Sequence, residues 1–231
     1  MKAIVLCGGL GTRLGILTKD MPKPLLNVAG RPFIAHVLDR LTKAGISGLV
    51  LAVGFQRAKI SEYIGNEWNG IPVDYVVESE PLGTGGAIKN AFFSLGLHES
   101  IVLNGDTLFD IDISNFLRFA TDKDGSTCIA LRKVEDCSRY GKVSIGASGR
   151  LTAFGEKDQK GSGLINGGIY FLRSRALDDL SLTSFSFETA YLQARHSIEP
   201  IFGMAFEDYF IDIGIPSDLA RAQFELIAMK K

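Results

Sequence analysis

This chain lacks an excess of charge of either sign. Its 25 Lys and Arg residues are matched by 26 Asp and Glu, for a net charge of −1. Such a balance gives no global field that would draw in nucleic acid or an anionic membrane surface. Long apolar runs are missing too: no stretch of about 18 apolar residues exists, so no membrane span is expected. Cysteine is scarce. Cys7, Cys128 and Cys137 are odd in number and lack CxxC spacing, which suits reduced thiols and not a disulfide framework. His36, His98 and His196 are scattered, with none of the spacing of a zinc site. The first residues show no signal-peptide layout, so the protein is expected in the cytoplasm. There is no internal repeat, linker or low-complexity tail, and no hexapeptide repeat that would suggest an appended β-helix. What remains, 231 residues of which 46% are hydrophobic, is enough to bury one full core. The expectation is a single domain over residues 1–231.

The first two dozen residues carry the strongest signal. Ile4, Val5, Leu6 and Cys7 form a short apolar run that reads as a buried strand. The run breaks into Gly8-Gly9-Leu10-Gly11-Thr12-Arg13-Leu14 and continues to Pro22-Lys23-Pro24. Glycines let backbone approach a ligand closely, and successive N–H groups in such a turn form an anion-binding concavity. Arg13 adds a forked cation and Lys23 a compact one. Strand, glycine turn and two cations together point to a bound polyphosphate. The spacing is neither that of a P-loop nor that of a dinucleotide fingerprint, since Leu14 stands where the third glycine of the latter belongs.

Further along, short apolar strands alternate with helices. Residues 32–44, 57–64 and 85–95 have helical character; residues 49–53, 73–77 and 101–103 read as buried strands. This alternation predicts right-handed βαβ units, hence a Rossmann-like α/β fold with a mixed, mainly parallel sheet flanked by helices. Ligands of such sheets lie beyond the carboxyl ends of the strands. The loops at residues 8–13, 80–86 and 104–110 all fall there and converge on one cleft. The second half changes character. Residues 127–131, 142–145, 151–154 and 169–172 are strand-like, with glycine turns at Gly141, Gly146 and Gly149, which suggests a continuation of the sheet with a small β-rich lobe over the cleft. Residues 185–194 and 217–229 read as helices.

Several side chains stand where chemistry could occur. Asp106 follows a buried strand, and a carboxylate there could hold Mg²⁺ against substrate phosphates. Asp212 lies in the apolar run Phe210-Ile211-Asp212-Ile213, where a charge needs a partner and a metal is a suitable one. For either aspartate alone, a turn cap or a lysine pair is an equal reading. Glu80 opens the turn Pro81-Leu82-Gly83-Thr84-Gly85-Gly86. Its carboxylate could accept paired hydrogen bonds from the ring N–H and amino group of guanine, a donor pair that uracil and thymine lack. Asn166 offers an amide for a sugar hydroxyl; Glu156 and Lys157 could bind hydroxyls and a phosphate. Asp110 and Asp112 form an Asp-x-Asp pair, which is a metal motif in some glycosyltransferases, but Ser114 close by favours a turn or helix cap.

Taken in order, these stretches resemble the sugar-1-phosphate nucleotidyltransferases, the nucleotide-sugar pyrophosphorylases. The likeness covers LCGGLGTRL at 6–14, PKP at 22–24, EPLGTGGA at 80–87, NGDT at 104–107, FGEK at 154–157, NGGIY at 166–170 and FIDIGIP at 210–216. Within the family the phrasing is most similar to the D-glycero-α-D-manno-heptose 1-phosphate guanylyltransferases, with mannose-1-phosphate guanylyltransferases second. The resemblance implies the nucleotide-diphospho-sugar transferase fold, with a nucleotide-binding part over about residues 1–110 and a sugar-phosphate part over about 111–231. It implies that Leu6, Gly8, Gly9, Gly11 and Thr12 wrap the nucleotide and that Arg13 binds its phosphates. Lys23 would steady the reacting groups, Glu80 and Gly85 would meet the base, and Asp106 and Asp212 would hold Mg²⁺. Gly141, Glu156, Lys157 and Asn166 would hold the sugar phosphate. The implied substrates are GTP and a sugar 1-phosphate, without nucleic acid or membrane, and with room for a homo-oligomer.

The chemistry expected from this set is attack by an ionised sugar phosphate on the α-phosphorus of GTP, with pyrophosphate leaving. Such a nucleophile needs no general base. The products would be activated heptose units for surface glycans such as capsule, S-layer or lipopolysaccharide. Two rivals differ in kind: a glycosyltransferase using Asp110 and Asp112, and a non-catalytic regulatory subunit that binds nucleotide sugars. The second would be expected to lose a phosphate-loop cation or a metal carboxylate, yet Arg13, Lys23, Asp106 and Asp212 are all present.

Overall fold

The computed structural model of the chain describes residues 1–9, 11–124, 126–155, 160–180 and 183–229. Its first half comprises β1 (Lys2–Leu6), a short hairpin of β2 (Asn27–Val28) and β3 (Arg31–Pro32), α1 (Phe33–Lys43), β4 (Gly48–Val53), α2 (Arg57–Ile64), β5 (Glu67–Trp68), β6 (Ile71–Val77), α3 (Gly83–Ser94) and β7 (Glu99–Asn104). The second half follows with β8 (Thr107–Phe109), α4 (Ile113–Thr121), β9 (Thr127–Val134), β10 (Lys142–Ile145) and β11 (Leu151–Phe154). It ends with β12 (Gly163–Arg173), β13 (Ile201–Phe206), β14 (Phe210–Asp212) and α5 (Pro216–Ala228).

The helix α1 shows how sequence sets local structure here. Phe33, Ile34, Val37, Leu38 and Leu41 recur at helical spacing and are at most 1% exposed, so one stripe of the helix lies wholly in the core. Each such side chain contributes about 1.5–3 kcal/mol relative to an exposed one. Just past its end, Gly45 turns the chain at φ 72°.

Alternation along the central strands feeds two separate cores. Ala3 and Val5 of β1, Leu49 and Leu51 of β4, and Ile101 and Leu103 of β7 face one cluster, with α1, α2, α4 and α5 packed upon it. Ile4, Val50 and Val102 face the other, against Ile88, Ala91 and Phe92 of α3. Both faces of the sheet are covered, which is why these strands read as continuous apolar runs.

The strand order places the ligand edge. β1 pairs in parallel with β4 on one side and with β7 on the other, and β4 pairs in parallel with β6. The chain therefore moves outward from β1 through β4 to β6, then returns to the far side of β1 at β7. That reversal is a topological switch point, where open α/β sheets bind ligands beyond the carboxyl ends of their strands. The glycine loop leaves β1 at this point.

In the second half, β9 to β13 continue the same sheet, as the sequence leads one to expect. The eleven residues of β12 run antiparallel to β7 along Ile169–Arg173 and antiparallel to β10 at Leu164 and Ile165. β9 lies antiparallel along β12, with a register shift between Asn166 and Tyr170, and β13 joins β9 in parallel. Asp112 caps α4 by accepting from the Asn115 N–H at 2.9 Å, and Asp110 forms an ion pair with Arg40 at 2.5 Å. The Asp-x-Asp pair thus has a cap and a salt bridge to account for it. Residues 185–194, expected as an ordinary helix, contain a π-helix at Glu188–Gln193. Apolar spacing signals a helix but not the widened turn, which places the Phe187 and Tyr191 rings in a stack at 4.9 Å. No helix among the described residues is long and apolar enough to cross a membrane.

Candidate active site

Two cavities meet at the switch point. The smaller, about 260 Å³, is lined by Leu6, Gly8, Gly9, Gly11, Arg13, Lys23, Pro24, Asp106 and Gly214. The larger, about 900 Å³, includes Arg13 and Asp106 again and extends past Asn104, Thr107, Arg139, Tyr140 and Gly141 to Asn166, Glu188 and Asp212. Arg13 and Asp106 stand on the wall shared by both. A two-part ligand reacting near Asp106 would fit this arrangement.

The carboxylates are brought together by a ladder that local sequence does not announce. β8 and β14 form a separate two-stranded antiparallel sheet in which Thr107 lies opposite Asp212, and the Ile213 N–H donates to the Asp106 carbonyl at 3.0 Å. Lys23, at the start of a short 3₁₀ turn, reaches between the two aspartates. Its Nζ is 2.5 Å from Asp106 Oδ2 and 3.7 Å from Asp212 Oδ1. The Gly214 N–H donates to Asp212 Oδ1 at 2.7 Å. Burial raises the Asp212 pKa, the Asp106 charge raises it further, and Lys23 works in the opposite direction.

The glycine loop is packed against an acid that the sequence reading passed over. Glu78 follows β6 at the carboxyl edge of the sheet, the position that singled out Asp106 beside β7. Its Oε1 stands 2.8 Å from where a Cβ on Gly8 would lie, so only glycine fits there without displacing the carboxylate. The Glu78 Oε2 accepts from the Leu82 N–H at 3.2 Å, whereas Oε1 is buried without a hydrogen-bond partner among the described residues. Burial raises its pKa, and the Leu82 hydrogen bond only partly offsets that.

The remaining expected residues are placed as follows. Glu80 is exposed, and Gly85 is buried in α3, where its N–H donates to the Phe185 carbonyl at 2.9 Å. A Cβ on Gly85 would overlap the Phe185 ring, so close helix–loop packing accounts for this glycine. Neither residue lines the two cavities. Thr12 begins the 3₁₀ turn at Thr12–Thr18. Gly141 lines the larger cavity, and the Asn166 Nδ2 donates to the Tyr170 hydroxyl at 2.8 Å while its Oδ1 accepts from the Gly168 N–H. Glu156 and Lys157 lie outside the described residues. The larger cavity also has a wall that sequence spacing did not reveal. Glu188 on the π-helix accepts from Thr84 Oγ1 at 2.7 Å, Ser186 Oγ at 2.8 Å and the Tyr170 hydroxyl at 3.1 Å. Cys7, Cys128 and Cys137 are free and buried, and burial pushes the Cys128 thiol up to about 12, so none is poised to react.

A family model described as nucleotidyl transferase matches residues 2–228. The chain belongs to the nucleotidyl transferase family. As such a transferase it is 44% identical over 219 residues to the D-glycero-alpha-D-manno-heptose 1-phosphate guanylyltransferase of Campylobacter jejuni, covering 94% of this chain and 96% of the relative. It is 38% identical over 227 residues to the protein of the same description from Aneurinibacillus thermoaerophilus, covering 98% of each. The crystal structure of HddC from Yersinia pseudotuberculosis complexed with GMP-PN superposes with a TM-score of 0.85 at 33% identity, covering 97% of this transferase and 99% of that chain. The mixed, mainly parallel sheet flanked by helices of this nucleotidyl transferase is thus the fold it shares with its structural neighbours.

Proposed function

We propose that this protein transfers GMP from GTP to a sugar 1-phosphate, D-glycero-α-D-manno-heptose 1-phosphate, giving a GDP-heptose and pyrophosphate. The guanine part of this reading rests on Glu78. A buried carboxylate oxygen with no donor, held against the nucleotide loop, calls for a ligand that brings donors. Guanine brings two on one edge, the ring N–H and the exocyclic amino group, and two charge-assisted hydrogen bonds would satisfy the carboxylate. We therefore assign the base contact to Glu78 and not to exposed Glu80. The relatives named for heptose 1-phosphate, and the GMP-PN bound to HddC, support the same choice of base and sugar.

The reaction follows from charge. A sugar phosphate has a second pKa of about 6, so its oxygen is already ionised at neutral pH. That oxygen bonds to the α-phosphorus in line, the bond from the α-phosphorus to the bridging oxygen breaks, and pyrophosphate leaves with the electron pair. Arg13, on the shared wall, would hold the β- and γ-phosphates, and Lys23 the reacting group. Two carboxylates around one ammonium, one of them with its pKa raised by burial and then by its neighbour's charge, fit a hard divalent cation with oxygen ligands. Asp106 and Asp212 would hold Mg²⁺, which when bound neutralises charge on the phosphate oxygens. The nucleotide is received by residues within about 1–110 and the sugar phosphate by residues within about 111–231. Operation in the cytoplasm, and supply of heptose to capsule, S-layer or lipopolysaccharide, complete the proposal.

The test is pyrophosphate release with Mg²⁺, pairing GTP, ATP, CTP, UTP and dTTP with heptose 1-phosphate and mannose 1-phosphate. Release confined to GTP with the heptose is expected. Preference for mannose would move the pathway and keep the mechanism, activity with UTP or dTTP would overturn the base assignment, and no release with any pair would favour a binding protein.

A further inference from the structure

The sugar side of the cleft poses an electrostatic problem that Arg13 and Lys23 do not solve, and Lys157, expected there from the resemblance, lies outside the described residues. A phosphate dianion must approach a nucleotide that already carries several negative charges, beside Asp106 and Asp212. Among the described residues lining the larger cavity, the cations are Arg13, which also serves the nucleotide loop, and Arg139.

Arg139 is held in place by a buried carboxylate. Asp218, in the first turn of α5, is 3% exposed. Its Oδ2 is 2.6 Å from Arg139 Nη2, close enough for an ion pair though not aligned as a hydrogen bond, and its Oδ1 is 3.3 Å from Arg221 Nη1. The guanidinium also lies 5.4 Å over the Tyr140 ring, whose edge meets Phe210 two positions before Asp212. Asp218 and Tyr140 therefore fix one edge and one face of Arg139. The side chain is still 43% exposed, and its other N–H groups have no protein acceptor among the described residues. A guanidinium offers five donors in a rigid fork, which matches the oxygens of a phosphate.

We propose that Arg139 clamps the phosphate of the attacking sugar 1-phosphate, with Asp218 orienting the guanidinium from behind. This rests on a sugar 1-phosphate being the nucleophile and not on which sugar it is. Arg139 lines the same cavity as Asp106 and Asp212, so a phosphate held by Arg139 shares that cavity with the two carboxylates.

The test uses whichever sugar 1-phosphate the wild type turns over. Arg139→Ala is expected to raise KM for that sugar 1-phosphate by roughly ten- to a hundredfold, the scale of losing a charge-assisted hydrogen-bonded pair. KM for GTP should stay within about threefold, and competition by the same sugar without its phosphate should be unchanged. Arg139→Lys should recover part of the loss, since charge is restored without the fork, and it carries the test if the alanine variant fails to fold. Asp218→Asn should shift the same KM in the same direction. An unchanged KM for sugar 1-phosphate in Arg139→Ala, or equal losses for GTP and for the unphosphorylated sugar, would reduce Arg139 to a strut between its loop and α5 and overturn the proposal alone. A wild type that releases no pyrophosphate with any pair would overturn the underlying reading, and this proposal with it.

Discussion

Replacing Glu78 by Gln changes one atom of the carboxylate and should change the base that the protein accepts. Glutamate presents two acceptors to guanine's two donors; glutamine presents one acceptor and one donor. The substitution removes one charge-assisted hydrogen bond, worth about 1.5–3 kcal/mol, and sets an amide N–H against a guanine N–H. A fall of roughly a hundredfold in kcat/KM for GTP follows from a loss near 2.7 kcal/mol. ITP lacks the 2-amino group, so it sharpens the assay. The wild type should prefer GTP over ITP, and Glu78→Gln should lose most of that preference. UTP and dTTP, whose imide edge offers a donor beside an acceptor, should improve with the variant. Stability provides a second reading. Burial raises the folded pKa of Glu78, so its favourable contribution is complete at acidic pH and is lost as pH rises through that raised value. Glu78→Gln should therefore be more thermostable than wild type at neutral pH without ligand, and the gap should close on acidification. If Glu78→Gln kept GTP activity within threefold while Glu80→Gln lost it, the base assignment would be wrong and the exposed glutamate would be the reader.

Other perturbations probe separate parts of the site. Asp106→Asn or Lys23→Ala should lower turnover by about a hundredfold or more, on the scale of losing one preorganised electrostatic group, and near-normal rates in either would count against this centre. Gly85→Ala forces a methyl into the Phe185 ring and should destabilise by about 1–3 kcal/mol, seen as a fall of several degrees in thermal unfolding. Glu188→Gln keeps the shape of the π-helix wall but replaces an acceptor of three hydrogen bonds by an amide that can satisfy only some of them. It should raise KM for the sugar 1-phosphate with little change for GTP, and the converse pattern would assign this wall to the nucleotide.

The walls of the smaller cavity were legible because their signals are local. Gly8 to Arg13 and Asn104 to Asp106 each follow an apolar strand, and the rule that ligands gather at strand ends led directly to them. The same rule applied to Val77 would have reached Glu78; the glycine turn after it drew attention to Glu80 instead. The resemblance implies that Gly85 meets the base; a glycine announces close approach without naming what approaches, and in the structure the Phe185 ring lies against it. Asp212 could be singled out as an anomalous charge, but its partner could not, since the β8–β14 pairing joins segments half the chain apart. The π-helix was hidden for a different reason, because apolar spacing over residues 185–194 is satisfied by either width of turn.

That β8–β14 ladder also sets a schedule. A chain is made from its amino end, and domains form as their parts emerge. The glycine loop, Lys23 and Asp106 are all available long before Asp212 leaves the ribosome. Until β14 docks on β8, Lys23 has one carboxylate for company and the larger cavity lacks part of its wall. Docking must also take the observed register, because a slip by one residue would turn Ile211 or Ile213 toward Lys23 in place of Asp212. The glycine loop can thus be complete before the second carboxylate of the site is in place.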